Sequence, residues 1–146
     1  MRKSLLLLTA AFMSFGAQAK VRLHHLVSDN MVLQCSSEAR LWGWDTPGKT
    51  VRVSTSWSKD IVTARAAKDG SWEVCVRTPK PGFTPLTITF DDGEQTTIKG
   101  VLSGEVWVCA GQSNMEMPVH GFDGCPVEGY NDAVIDAANF SGVRYA

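Results

Sequence analysis

Asp69-Gly70-Ser71-Trp72-Glu73-Val74-Cys75-Val76-Arg77 decides the fold. After the Asp-Gly turn pair, Trp72, Val74 and Val76 alternate with polar partners. A period of two places the three apolar side chains on one face of a strand, the mark of an antiparallel strand half-buried against a core. The same alternation runs through Val51, Val53, Thr55 and Trp57, and again through Leu86, Ile88 and Phe90 before Asp91-Asp92-Gly93. Asp-Gly supplies the positive φ of a tight hairpin turn, and Pro47-Gly48 and Pro81-Gly82 mark further reversals. Earlier strands are expected over 21–27, 31–34 and 39–44. About seven short strands at this spacing make residues 20–102 an immunoglobulin-like or jelly-roll β-sandwich.

The whole-chain numbers agree with a globular fold. The 146 residues carry 14 Lys+Arg against 15 Asp+Glu and are 44% hydrophobic. Disordered chains and strongly basic nucleic-acid binders need charge excess or apolar poverty, so no nucleic-acid partner is expected. Thirteen Gly and six Pro without a short repeat period indicate a turn-rich globular chain, not a solenoid.

Residues 1–19 read as a secretory signal peptide. Met1-Arg2-Lys3 is a positive start, Leu5-Leu6-Leu7-Leu8 opens an apolar run, and Ala17-Gln18-Ala19 is a small-x-small exit. The apolar run is shorter than the roughly 20 residues a spanning helix needs, so no membrane span is expected. Export implies a secreted or periplasmic protein in an oxidising compartment, where Cys35, Cys75, Cys109 and Cys125 either pair or stay as buried thiols. Their spacing lacks any C-x-x-C, which argues against zinc.

Within the sandwich region, His24 and His25 fall on opposite faces of an early strand, one packed and one exposed. Trp42 and Trp44 share a face; they are expected in the core, with sugar stacking as the alternative.

The pattern changes at Gly104. Val106-Trp107-Val108-Cys109-Ala110 is continuously apolar, as in a parallel strand buried on both faces. Gly111-Gln112-Ser113-Asn114-Met115-Glu116-Met117-Pro118 follows directly. Asn131-Asp132 then opens a helix with an apolar stripe of Val134, Ala137 and Ala138, Gly142 ends it, and Val143 begins another strand. One strand, one helix and the start of a second strand cannot bury both faces of a sheet. Residues 103–146 are therefore expected to open an incomplete α/β domain of a longer enzyme, a tail folded against the sandwich being the alternative.

A serine where a buried strand enters a helical turn presents its hydroxyl at the sheet edge where open α/β sheets bind ligands. Its backbone N–H can face a developing oxyanion, and Gly111 permits a tight turn. A hydroxyl needs a base to activate it, and no metal or organic cofactor is required. Met115 stands where the second Gly of the α/β-hydrolase elbow G-x-S-x-G belongs, so the motif is a different one. Ser113 and Glu116 also fit the S-x-x-E capping box, which would make Ser113 a helix cap.

Leu26-Val27-Ser28-Asp29-Asn30-Met31-Val32-Leu33-Gln34, then Leu41-Trp42-Gly43-Trp44, resembles the opening of the sialate O-acetylesterases. Glu105 to Pro118, preceded by Gly104, resembles their nucleophile segment. The resemblance covers nearly all of residues 20–146, with Cys35 where many relatives carry a basic residue. It implies a β-sandwich followed by the truncated start of an SGNH-type α/β hydrolase domain, and an esterase that removes O-acetyl groups from sialic acids. By that match Ser113 is the nucleophile and its N–H an oxyanion donor, while Gly111, Gln112, Asn114 and Glu116 shape the turn and the site. The general-base His and its acidic partner would lie far C-terminal, so little turnover is expected of these 146 residues alone. His120, seven residues beyond Ser113 and past Pro118, is read as a loop residue. The implied partner is an O-acetylated sialic acid or another acetylated glycan. A non-catalytic carbohydrate-binding or interaction sandwich is the rival reading, and an acetylesterase of other polysaccharides the second.

Overall fold

The computed structural model describes residues 20–140 and 142–145; the signal-peptide segment 1–19 lies outside them. Eight strands come first: β1 Arg22–Leu23, β2 Val32–Gln34, β3 Glu38–Trp44, β4 Thr50–Thr55, β5 Ile61–Arg65, β6 Ser71–Arg77, β7 Gly82–Asp91 and β8 Gln95–Gly104. They form a three-stranded sheet, β1-β3-β6, and a five-stranded sheet, β2-β8-β7-β4-β5. Beyond them lie a single turn α1 Ser113–Glu116, the short pair β9 Gly121–Phe122 and β10 Cys125–Pro126, and helix α2 Tyr130–Ala137.

Both larger sheets feed one core. Leu41, Trp72, Val74 and Val76 enter it from the three-stranded sheet, and Val51, Val53, Ile88, Phe90 and Val101 from the five-stranded one. The indole of Trp72 meets Phe90 across the core at 5.7 Å between ring centroids. Every inward residue read from the alternation of β6 is buried, while Glu73, Cys75 and Arg77 between them are exposed. The Asp69-Gly70 turn needs its glycine on two counts: φ is +83°, and a Cβ there would stand 2.6 Å from the Asp45 carbonyl oxygen.

Three features depart from the expected strands. First, β2 pairs with β8 in parallel, Val32 opposite Leu102, where alternation alone suggested antiparallel partners. Second, β5 and β8 were not anticipated. Strand β8 is polar over its first half and shifts register between the pairs Leu86/Val101 and Ile88/Ile98, with Gly100 at φ +68°. A bulge of this kind breaks the period of two, and that hides a strand from a periodicity argument. Third, β1 stops at Leu23 and the chain turns at His25-Leu26. The two imidazoles therefore do not point to opposite faces; their centroids lie 4.0 Å apart.

The segment read as a doubly buried strand is unpaired. Residues 105–110 belong to no strand, and Trp107 and Val108 are 82% and 92% exposed. A parallel strand hides both faces only when strands flank it and helices cover it, and among the described residues no strand pairs with this segment. Helix α2 begins one residue before the expected Asn131, at an N-cap Gly129 with φ 73°, and ends at Ala137 instead of running to Gly142. Its stripe of Val134, Ala137 and Ala138 is exposed. Residues 143–145 form no strand; Arg144 instead ties this stretch to the β-region by donating to the Asn30 and Gly100 carbonyls.

Candidate active site

The path to Ser113 starts where β2 and β8 run side by side. The Cys35 N–H donates to the Gly104 carbonyl at 2.8 Å, closing the end of the ladder. One residue further, the Gln34 carboxamide takes over: its Nε2 donates to Glu105 Oε2 at 2.9 Å and its Oε1 accepts the Val106 N–H at 2.9 Å. The Cys35 thiol donates to the other Glu105 oxygen at 3.4 Å. Hydrogen bonds from Gln34 and then Cys35 hold the Glu105 carboxyl below the usual carboxylate range. Desolvation, followed by the hydrogen bond and charge of Glu105, pushes the Cys35 thiol up. The two stretches that carry the resemblance thus meet physically, at Gln34 and Glu105. Nothing local in either stretch announces this contact across 71 positions, so alternation and motif spacing assign neither residue a role.

Ser113 is the first residue of α1. The turn closes through the Met115 N–H on the Gln112 carbonyl at 2.9 Å and the Met117 N–H on the Ser113 carbonyl at 3.0 Å. Gln112, not Ser113, occupies the N-cap position and makes no side-chain capping bond. The capping-box reading of Ser113 and Glu116 therefore does not hold. Met117 is extended at φ −61°, ψ 122°, and Pro118 follows. A residue before proline is pushed out of the helical region, and that ends the helix after one turn. A side chain at Gly111 would meet Met115 Cγ at 2.6 Å, so its lack of a Cβ lets the turn fold back on itself. Gly111, Gln112, Ser113, Asn114 and Glu116 are all solvent-exposed.

His120 sits in the turn before β9, its ring 6.5 Å from that of Tyr130 in an edge-on contact. The four cysteines are free thiols. Cys75, Cys109 and Cys125 are exposed and Cys35 is half-buried, so the expectation of buried thiols does not hold. Among the described residues, no group of three or more His, Cys, Asp or Glu is placed to hold a metal ion. No helix among them is long and apolar enough to cross a membrane.

Trp42 and Trp44 are not central core residues. In β3 the buried positions are Leu41 and Gly43, so the two indoles project from the opposite, outer face, although Trp42 still touches the core's margin.

No protein-family model matches the chain. It is 35% identical over 125 residues to a sialate O-acetylesterase of Rattus norvegicus, covering 79% of this chain and 23% of that protein. The sialate O-acetylesterase of Homo sapiens is 35% identical over 107 residues, or 67% of this chain and 20% of that protein. Among solved structures, a carbohydrate acetylesterase from Xanthomonas citri superposes with a TM-score of 0.62 at 32% identity, over 68% of this chain and 22% of its own. The chain spans about a fifth of the length of the curated relatives it matches. It is a homologue of the sialate O-acetylesterases over that part of their length.

Proposed function

We propose that this chain belongs to an exported serine esterase that removes O-acetyl groups from sialic acids, and that it carries the nucleophile. The observation behind this reading is the 35% identity to proteins named sialate O-acetylesterase. In the proposed architecture, residues 20–102 are a β-sandwich and residues 103–146 begin an α/β SGNH-type hydrolase domain. Ser113 is the nucleophile. Its position at the start of a tight turn, with the cap role taken by Gln112, leaves the hydroxyl available for chemistry.

The reaction has two halves. Ser113 Oγ attacks the acetyl carbonyl while a histidine base takes its proton, and the ester C–O bond breaks to release the sugar alcohol, which receives that proton. Water then attacks the acyl-serine with the same base assisting, giving acetate and restoring the serine. The Ser113 N–H stabilises the oxyanion, while Gly111, Gln112, Asn114 and Glu116 hold the turn around it. His120 is not assigned as the base, since Pro118 and the glycine-rich stretch after it give no reason for its ring to be held near Ser113. No metal or organic cofactor takes part. The name of the Xanthomonas citri neighbour, a carbohydrate acetylesterase, favours a second reading in which the acetyl group sits on another polysaccharide.

The test is acetate release from an O-acetylated sialoside and from acetylated xylan by the complete gene product carrying this sequence. Turnover of the sialoside that Ser113→Ala abolishes supports the proposal, and turnover of xylan alone selects the second reading. Undiminished turnover in Ser113→Ala overturns the assignment of the nucleophile.

A further inference from the structure

The outer face of an antiparallel sheet is ordinarily polar, yet the three-stranded sheet carries Trp42 and Trp44 there. We propose that this face is a carbohydrate-binding site, separate from Ser113, that takes the pyranose rings of a glycan chain.

The strand register assembles it. Trp42 stands opposite Glu73 and Trp44 opposite both Ser71 and Arg22, so all five side chains leave the sheet on the same side. Two residues along a strand separate the two positions by roughly 7 Å on the same face. Arg22 lies 4.9 Å over the Trp44 ring, and the His24 ring lies 5.0 Å from Trp42 and 6.0 Å from Trp44. These neighbours fix the indoles before any ligand arrives, so little conformational entropy remains to be lost on binding.

Beside them lies an open cleft of about 450 Å³, lined by Trp42, Trp44, Arg65, Ser71, Trp72 and Glu73 among others. That volume falls in the range of about 300–1,000 Å³ typical of small-ligand sites. Its chemistry is mixed in the way a sugar is mixed. Indole faces suit the C–H face of a pyranose, while Ser71, Glu73 and the Arg65 guanidinium suit its hydroxyls. Glu73 is paired with Arg40 at 3.2 Å, and Arg65 Nε is held by the Gly48 carbonyl at 2.9 Å, so neither charge stands loose.

Trp72 also borders the cleft, but its indole turns to the other side of the sheet, into the core against Phe90, so the outer face is built by Trp42, Trp44 and their polar neighbours.

The experiment is affinity electrophoresis of the full chain in native gels containing sialylated mucin, hydroxyethyl cellulose or xylan. Retardation by at least one polymer is expected, weakened about tenfold in Trp44→Ala and in Trp42→Ala, and unchanged in Ser113→Ala and Trp57→Ala. Should either cleft variant lose its native circular dichroism, Ser71→Ala and Glu73→Gln replace it; both change polar groups outside the core and should weaken retardation. No retardation by any polymer, or retardation indifferent to these substitutions, overturns the proposal. Acetate release is read through Ser113→Ala and retardation through the cleft variants, so failure here and failure of the esterase reading remain separate results.

Discussion

Gln34 grips Glu105 and the next peptide with both ends of one carboxamide, donating to the carboxylate and accepting the Val106 N–H, each at 2.9 Å. This contact sets where the chain leaves the β-region on its way to Ser113. Strand β8 ends at Gly104 and residues 105–110 lie in no strand, so the side-chain clamp takes over where the ladder stops.

Gln34→Ala should therefore loosen the segment after Gly104 while leaving the core intact. Amide exchange at Val106 is expected to quicken by roughly five- to tenfold, the worth of one lost hydrogen bond, with no change at Val74 or Ile88. The clamp also carries a pH signature. The folded-state pKa of Glu105 is lowered, so its contribution is present above the ordinary carboxylate pKa and lost as the pH falls through the folded value. Val106 exchange, corrected for intrinsic rates, should rise on acidification in the wild type and stay flat in Gln34→Ala. Equal protection in both proteins would remove the clamp from the account.

Asp45 and Asp92 pull in opposite directions. Burial raises the Asp45 carboxyl, and the Asp92 charge adds to it; one Asp45 oxygen has no partner. For Asp92, burial is outweighed by the Glu94 N–H and by Lys49, 3.5 Å away, and its carboxyl is lowered. Asp45 thus favours folding at low pH and loses that contribution as the pH rises through its folded value, while the Asp92 contribution is lost on acidification. Asp45→Asn keeps an acceptor for the Thr46 N–H and removes the buried charge. It should stabilise the protein by about 1 kcal/mol at pH 7 and by less near pH 4, measured by urea unfolding at both values.

Phe90 is fully buried and faces Trp72 across the core. Phe90→Ala should cost about 3–5 kcal/mol, because the cavity lies between two sheets that cannot both collapse into it. Urea denaturation followed by tryptophan fluorescence gives the number directly.

Gly70→Ala combines a positive φ with a Cβ placed 2.6 Å from the Asp45 carbonyl oxygen. A loss of about 1–3 kcal/mol is expected, together with weakening of the Asp45 N–H bond to the Gly70 carbonyl, now 2.9 Å. A thermal melt that matches the wild type would show that the turn yields without strain.

The sequence by itself determined which residues share a strand face. The alternation of Trp72, Val74 and Val76, or of Leu86, Ile88 and Phe90, is fixed by the two-residue period of the backbone, and the turns at Asp69-Gly70 and Asp91-Asp92-Gly93 are fixed by glycine's freedom at positive φ. It also located Ser113 at the start of a turn that Pro118 ends, since both effects are local. Tertiary structure alone decided which face looks inward. Trp42 and Trp44 share a face by arithmetic, but that face is outer because Leu41 and Gly43 turn toward Trp72 and Val74 instead. The parallel pairing of β2 with β8, the bulge at Gly100 and the Gln34–Glu105 contact join residues tens of positions apart. Long-range pairing depends on how two sheets close over one core, and no single stretch of chain encodes that closure.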